Sequence, residues 1–345
     1  MKVFSSPLHR GHAPQFEFFR GERVPCFETP ARLDFVLDEL ARRGHSVSSP
    51  DRDAGAALSL VHEARYLAFL ERAWSDWLAV DPANAQRQPF PSVWPVRTLR
   101  SDVEPTHFIA RLGLYSMDNG SPMVAGTWAA ARAASDAAAS AAGHLLGGGA
   151  AAFSAMRPPG HHAGPDFMGG YCFLNHAAVA AQVLRDGGCE RVAVLDVDYH
   201  HGNGTQAIFY RRGDVFFASL HGDPRTEYPF YLGHADERGE GAGAGCNLNL
   251  PLPAGTGAEG WFEALDHALA AIARWGADAI VVSLGLDTFE GDPISRFRLC
   301  ADDFRRLGAR LARAGRPTAF VLEGGYAASE LGVNAVNVIE GFEPS

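Results

Sequence analysis

From about residue 120 onward, short apolar runs alternate with longer stretches of helical character. The runs lie at 150–155, 191–195, 214–220, 279–284 and 317–322, and they are apolar at consecutive rather than alternate positions. Continuous apolarity over so few residues predicts strands covered on both faces, the condition of a parallel sheet. The stretches 174–186, 258–275 and 301–314 read as helices. So does the alanine-rich stretch Gly126 to Leu146, which Gly147-Gly148-Gly149 ends with residues tolerant of left-handed backbone. The alternation predicts βαβ units and hence an α/β fold, with an open, mostly parallel sheet flanked by helices on both faces. No internal repeat or composition shift marks a linker, so residues 1–345 are expected to form a single domain. Asp81 to Pro122 departs from the pattern, being rich in Pro, Arg and aromatics (Phe90, Trp94, Phe108, Tyr115) with little periodicity. A long irregular insert in a compact domain is usually a functional lid or an interface, and the aromatics argue against disorder.

Composition narrows the function classes. A chain of 345 residues, 47% hydrophobic, can bury a large core. No apolar run is long enough to span a bilayer, and the N-terminus lacks the basic-then-apolar layout of a signal peptide. A net charge of −10 without a basic stripe argues against nucleic acid and suits a cationic substrate. The five cysteines (Cys26, Cys172, Cys189, Cys246, Cys300) are scattered and lack CxxC spacing. They read as reduced thiols in a cytoplasmic protein rather than as a disulfide frame.

Candidate chemistry collects where the apolar runs stop. Asp196-Val197-Asp198-Tyr199-His200-His201 follows the run that ends at Leu195. Alternate strand residues share a face, which groups Asp196, Asp198 and His200. Two carboxylates and an imidazole are too costly to bury unless a cation or a hydrogen-bond network compensates them. Asp287 lies just past the run 279–284, and ligands of open α/β sheets bind outside the carboxyl ends of strands. The economical reading is a catalytic metal held by Asp198, His200 and Asp287. A second cluster, Arg157-Pro158-Pro159-Gly160-His161-His162, presents paired imidazoles on a backbone stiffened by two prolines. Adjacent loop histidines are often surface residues, but Gly169-Gly170-Tyr171-Cys172-Phe173 behind them allows close approach to a ligand. Histidine there can serve as general base and then general acid. A third cluster, Glu323-Gly324-Gly325-Tyr326, can aim a phenol at a developing oxyanion. Plain packing beside the turn is its alternative. His9, His12 and His45 read as surface or hydrogen-bonded histidines, and His221 as a structural or supporting one. Arg305, Arg306, Arg310 and Arg313 read as a solvated helix face.

In order and wording, these motifs resemble the arginase–deacetylase superfamily. The match runs nearly the whole chain through RPPGHH, GGYCFLNHAAVAAQ, VLDVDYHHGNGTQAIFY, FFASLHGDP, VVSLGLDTFEGDPIS and EGGY. Within it the chain is most similar to the bacterial acetylpolyamine amidohydrolases. Supporting matches are Glu17, the stretch Gly21 to Glu28, Gly126-Thr127-Trp128 and the stretch Gly332 to Asn337.

The resemblance implies one zinc ion held by Asp198, His200 and Asp287, with positions left for water and a substrate carbonyl. It casts His162 as general base and acid, His161 as its electrostatic or proton-donating partner, and Tyr326 as the phenol that polarises the scissile carbonyl. Asp196 matches a residue that contacts His161. With Ser219, Leu220 and neighbouring carbonyls, Asp196 also matches a structural potassium site. Asn203 stands where many relatives carry an aspartate behind the second histidine, which implies a lower pKa for His162. Gly170 and Tyr171 match a channel wall for a slender aliphatic chain, Tyr228 an aromatic opposite, and Glu17 an acid that meets distal ammonium groups. Two further acidic positions of polyamine specialists fall near Ile109 and Gly120, where Asp118 is the nearby substitute. The insert is expected at the active-site rim and in a homodimer interface that narrows the mouth. The implied reaction is hydrolysis of small N-acetylated amines to acetate and free amine. A broader N-acyl or acetyl-lysine deacetylase would share the catalytic set and differ at the rim. An arginase-type ureohydrolase would need a two-manganese site, against which the tandem histidines and Tyr326 speak. A binding protein on the same scaffold would need a lost ligand or catalytic group, and none is missing.

Overall fold

A computed structural model describes residues 1–96 and 98–343. Its strands are β1 (Lys2–Phe4), β2 (Phe16–Phe19), β3 (Glu22–Pro25), β4 (Val47–Ser48), β5 (Ala151–Ser154), β6 (Val192–Asp196), β7 (Val215–Gly222), β8 (Asn247–Leu252), β9 (Ala279–Leu284) and β10 (Thr318–Leu322). Its helices are α1 (Pro30–Arg42), α2 (Gly55–Val61), α3 (Ala64–Val80), α4 (Phe108–Leu114), α5 (Thr127–Leu146), α6 (His176–Asp186), α7 (Asn203–Phe209), α8 (Ala258–Trp275), α9 (Ala301–Ala312) and α10 (Ala328–Phe342). Eight strands form one sheet in the order β4-β1-β5-β10-β9-β6-β7-β8, every pair parallel, and β2 and β3 form a separate antiparallel hairpin. The five apolar runs of the sequence are β5, β6, β7, β9 and β10. All are buried along their length, as strands covered on both faces must be.

The strand order places the site. From β6 the chain moves outward to β7 and β8, then returns to the other side of β6 as β9. Such a reversal opens a crevice at the carboxyl ends of the two strands that flank it. Asp198 and His200 leave β6 there, and Asp287 leaves β9. β10 and β5 continue the row beyond β9, so the four motif-bearing loops follow four adjacent strands at the centre of the sheet.

The helices that cover this centre are chosen by size. Half of α5 is alanine and most of it is buried, packing on α6 and on β1, β5 and β10. Alanine loses no side-chain entropy on ordering and keeps the helix close to the sheet. Residues 81–122 are only partly irregular, holding a 3₁₀ turn at Pro82–Gln86 as well as α4. Phe108 and Tyr115 enter the core, and Phe90 packs on Phe16 and Phe18 of the hairpin. Among the described residues no helix is long and apolar enough to cross a membrane.

Candidate active site

Asp198, His200 and Asp287 converge. One ligand atom from each lies within 4.8 Å of the other two. His200 Nδ1 stands 3.3 Å from Asp198 Oδ1 and 3.0 Å from Asp287 Oδ2. Backbone N–H groups steer the carboxylates, Gly324 donating to Asp198 Oδ2 at 2.9 Å and Tyr199 to Asp287 Oδ1 at 2.8 Å. A Cβ on Gly324 would sit 2.6 Å from Asp198 Oδ2 and 2.8 Å from Asp287 Oδ2, so only glycine leaves room for the pair. Both aspartates are fully buried, while His200 is half-buried and opens the cluster to the crevice. Electrostatics call for a cation here. Burial and the Asp198 charge push Asp287 up to about 7, and the two carboxylates overcome burial to push His200 up to about 10. Two carboxylates and one imidazole with an open side are the donor set of a catalytic divalent site.

The tandem histidines stand beside this cluster, their ring centroids 4.0 Å apart. His161 Nδ1–H donates to Asp196 Oδ2 at 2.9 Å, and His162 Nδ1–H donates to the Asn203 side-chain oxygen at 2.7 Å. Burial would lower His161, but the Asp196 and Asp198 carboxylates raise it to about 10. His162 goes the other way. Burial and the neighbouring charges of His161 and His200 hold it well below the ordinary imidazole value. One ring is therefore charged and the other neutral near pH 7, a division of labour set by their different partners.

The loop that carries these rings is fixed from several sides. Glu323 accepts from the N–H groups of Gly160 and His161 at 2.6 and 3.1 Å. His176 donates to the Pro158 carbonyl, His62 to that of Gly164, and the Asn175 amide to that of Ala163. His161, Cys172 and Glu323 form a second group close enough to share an ion. However, Glu323 also accepts from the Ser283 hydroxyl at 3.2 Å, so its oxygens already have partners.

Tyr326 enters from the β10 end. Its N–H donates to Asp292 Oδ2 at 2.7 Å, and the Arg32 guanidinium lies 4.7 Å from the ring centroid. Arg32 donates to the carbonyls of Gly325 and Glu323, both at 2.6 Å, and to Glu28 at 2.9 Å. Arg157 donates to both Glu28 oxygens and to the His9 carbonyl. Burial alone would raise Glu28, but the Arg157 and Arg32 guanidiniums hold it at about 2. Glu28→Gln leaves two buried cations short of a counter-charge and is expected to destabilise the chain by about 3–5 kcal/mol at pH 7. A carboxyl held low when folded contributes above its unfolded value near 4.5 and loses that contribution as pH falls toward 2. Denaturant unfolding at pH 7 and near pH 3 checks both points, because the wild-type advantage should shrink at the lower pH.

Three tyrosines and a glycine shape the way in. Tyr171 lies 5.6 Å from Tyr326, and Tyr228 lies 5.0 Å from His162 and 6.1 Å from His200, centroid to centroid. Gly170 has φ +51°, and a Cβ there would meet His162 Cδ2 at 2.4 Å. Asp118 accepts from the Tyr228 hydroxyl at 2.6 Å and from the Gly170 N–H at 3.2 Å, which ties the insert to both walls. Glu17 is 2% exposed, accepting from the Tyr171 hydroxyl at 2.7 Å and the Phe27 N–H at 3.1 Å. Its hydrogen bond to Tyr171 ties it to the channel wall. Asp196 and Ser219 are register neighbours on β6 and β7, with Leu220 next in line, and the Ser219 hydroxyl meets His221 Nδ1 at 2.8 Å.

Comparison with known proteins agrees with this geometry. Residues 26–342 match the model of the histone deacetylase domain. The chain belongs to the histone deacetylase family. Among family members it is 50% identical over 344 residues to acetylpolyamine amidohydrolase 2 of Pseudomonas aeruginosa, covering 99% of each chain. It is 46% identical over 342 residues to an acetylpolyamine amidohydrolase of Mycoplana ramosa, again covering 99% of each. A crystal structure of an acetylpolyamine aminohydrolase from Burkholderia pseudomallei superposes with a TM-score of 0.93 at 37% identity, covering 99% of this chain and 98% of that one.

Some residues that build this deacetylase-family site escaped sequence reasoning. Glu323 and Asp292 sat inside quoted motifs without a role; for Glu323 a carboxylate directly after an apolar strand was the available signal. Arg32 gave none, since a lone arginine on an amphipathic helix reads as surface.

Proposed function

We propose that this chain is a zinc-dependent amidohydrolase that removes acetyl groups from small cationic N-acetylated amines of the acetylpolyamine class, giving acetate and free amine. The observation that carries the reading is the meeting of Asp198, His200 and Asp287 with the His161–His162 pair and Tyr326 at the ends of four adjacent strands. The substrate class is supported by the full-length relatives that bear that name, by the acidic net charge and by Asp118 at the rim.

A zinc ion held by Asp198, His200 and Asp287 would act as a Lewis acid toward the acetamide carbonyl and would acidify a water. His162, kept neutral, is placed to take a proton from a water that attacks the carbonyl carbon. The Tyr326 hydroxyl donates to the carbonyl oxygen as negative charge develops there. His161, charged and locked by Asp196, holds positive potential beside the reacting atoms. The C–N bond breaks as a protonated imidazole returns the proton to the departing amine. Tyr171, Gly170 and Tyr228 fit a slender chain, with Glu17 setting the orientation of Tyr171.

Turnover of an N-acetylated diamine against an acetyl-lysine peptide, on metal-reconstituted enzyme, tests the reading. The diamine is expected to be the better substrate by at least an order of magnitude in kcat/KM, about 1.4 kcal/mol of discrimination. Equal rates would favour the broader N-acyl or acetyl-lysine deacetylase instead. We further propose a homodimer in a reducing cytoplasm, supported by exposed Val93, Val96, Leu99 and Val103 on the insert and by the five unpaired cysteines. A monomer by light scattering would remove the dimer. A monovalent-cation site at Asp196, Ser219 and Leu220 rests on their adjacency in register, and potassium-independent activity would count against it.

A further inference from the structure

The loop between β7 and β8 carries aromatic rings that the chemistry above does not use. Beyond Tyr228 stand Phe230 and Tyr231, 48% and 89% exposed. Ring centroids step outward from the site, with Tyr228 5.0 Å from His162, Phe230 6.4 Å from Tyr228, and Tyr231 6.5 Å from Phe230. The last two pairs are inclined at 82° and 66°, so successive rings face different directions.

Two features separate this row from a casual apolar surface. Phe230 has φ +66°, a backbone state that a bulky side chain rarely adopts, and such strain collects at ligand-contacting sites. The loop is also pinned on both sides of the strained residue. Before it, the Asp223 N–H donates to the Leu252 carbonyl at 3.0 Å and Glu227 lies 3.5 Å from Arg296. After it, Gly233 donates to Glu237 at 3.0 Å while its carbonyl accepts from His221 at 2.8 Å. The rings are therefore held out in water by a rigid support.

We propose that the exposed Phe230 and Tyr231, outboard of Tyr228, each offer a π face that selects substrates carrying ammonium groups beyond the scissile amide. This rests on the deacetylase reading above and deepens it. A cation over an aromatic face gains electrostatic attraction that a neutral chain does not. The Tyr228 hydroxyl donates to the Asp118 carboxylate, which pushes electron density into the ring and strengthens its face toward cations. The ring spacings are on the scale of the nitrogen separation in an extended four-carbon diamine, so an N-acetylated triamine would bring successive charges to successive rings.

The test compares wild type with the Phe230→Leu, Tyr231→Leu double variant, as the full chain with metal restored. The substrates are an N-acetylated triamine and a neutral N-alkylacetamide of equal length. KM for the triamine is expected to rise roughly two- to five-fold per ring lost, with kcat and the neutral KM unchanged. Tyr231→Phe, which keeps a face, should retain the wild-type KM. An unchanged triamine KM, a parallel rise for the neutral amide, or a change in oligomeric mass would each overturn the proposal, the last by assigning the rings to a second copy. A wild-type enzyme that cleaves the neutral amide and not the triamine would overturn the substrate class itself, a result visible without the variants.

Discussion

His162→Ala is expected to lower kcat by about 10²–10⁴-fold, the usual worth of a positioned general base and acid, with bound metal unchanged. His162 contributes no atom to the Asp198–His200–Asp287 cluster, so its loss removes a proton carrier and leaves the cation site intact. Its Nδ1–H is committed to the Asn203 oxygen at 2.7 Å, which leaves the Nε2 lone pair free toward the crevice. Burial and the charges on His161 and His200 hold it well below the ordinary imidazole value, so the base form prevails at neutral pH. The neutral Asn203 amide preserves that state, where a carboxylate would draw the ring toward the charged form. Turnover at saturating substrate, measured with metal content by elemental analysis, checks the prediction. A rate within a few-fold of wild type would take His162 out of the proton path.

How far the sequence revealed this site depends on where each residue lies in the sheet. The central strands are buried on both faces, so they are apolar at most positions and their ends stand out as abrupt polar groups. That contrast made Asp198, His200, Asp287, His161, His162 and Tyr326 legible. The edges carry no such contrast. β1 and β4 are three and two residues long, too short to show a period, and the pattern gave no sign of them. β8 places Asn247 and Asn249 inward, where they donate to the Gln206 side-chain oxygen, so its buried face looks polar. Glu17 shows the same limit in the site. Its partner Tyr171 lies 154 residues along the chain, so only the fold reveals that Tyr171 and Phe27 enclose it. Arg32 is the reverse case, a cation on an amphipathic helix that long-range contacts bury against Glu323, Gly325 and Tyr326. Residues that act through distant chain segments leave no local trace.

Asp287→Ala is expected to abolish deacetylation and to sever the link between stability and metal. Loss of a residue that merely supports a metal ligand weakens affinity or activity about 10–100-fold, so loss of a direct ligand should exceed that range. The stability readout separates a ligand from a structural carboxylate. In the metal-free chain Asp287 is buried beside Asp198, which pushes it up, while the nearby His200 ring and the Tyr199 N–H favour its charged form. Losing Asp287 relieves the repulsion with Asp198 but also strips partners from His200 and Tyr199, so the deciding quantity is the zinc-dependent shift and not the stability of the metal-free variant. Wild type should gain from the ion, since metal at 100 times its Kd adds about 2.7 kcal/mol. Thermal unfolding with and without zinc, with chelator as control, should therefore show an upward shift of Tm in wild type and none in Asp287→Ala. A variant that zinc still stabilises as much as wild type would make Asp287 a structural carboxylate and move the ion elsewhere.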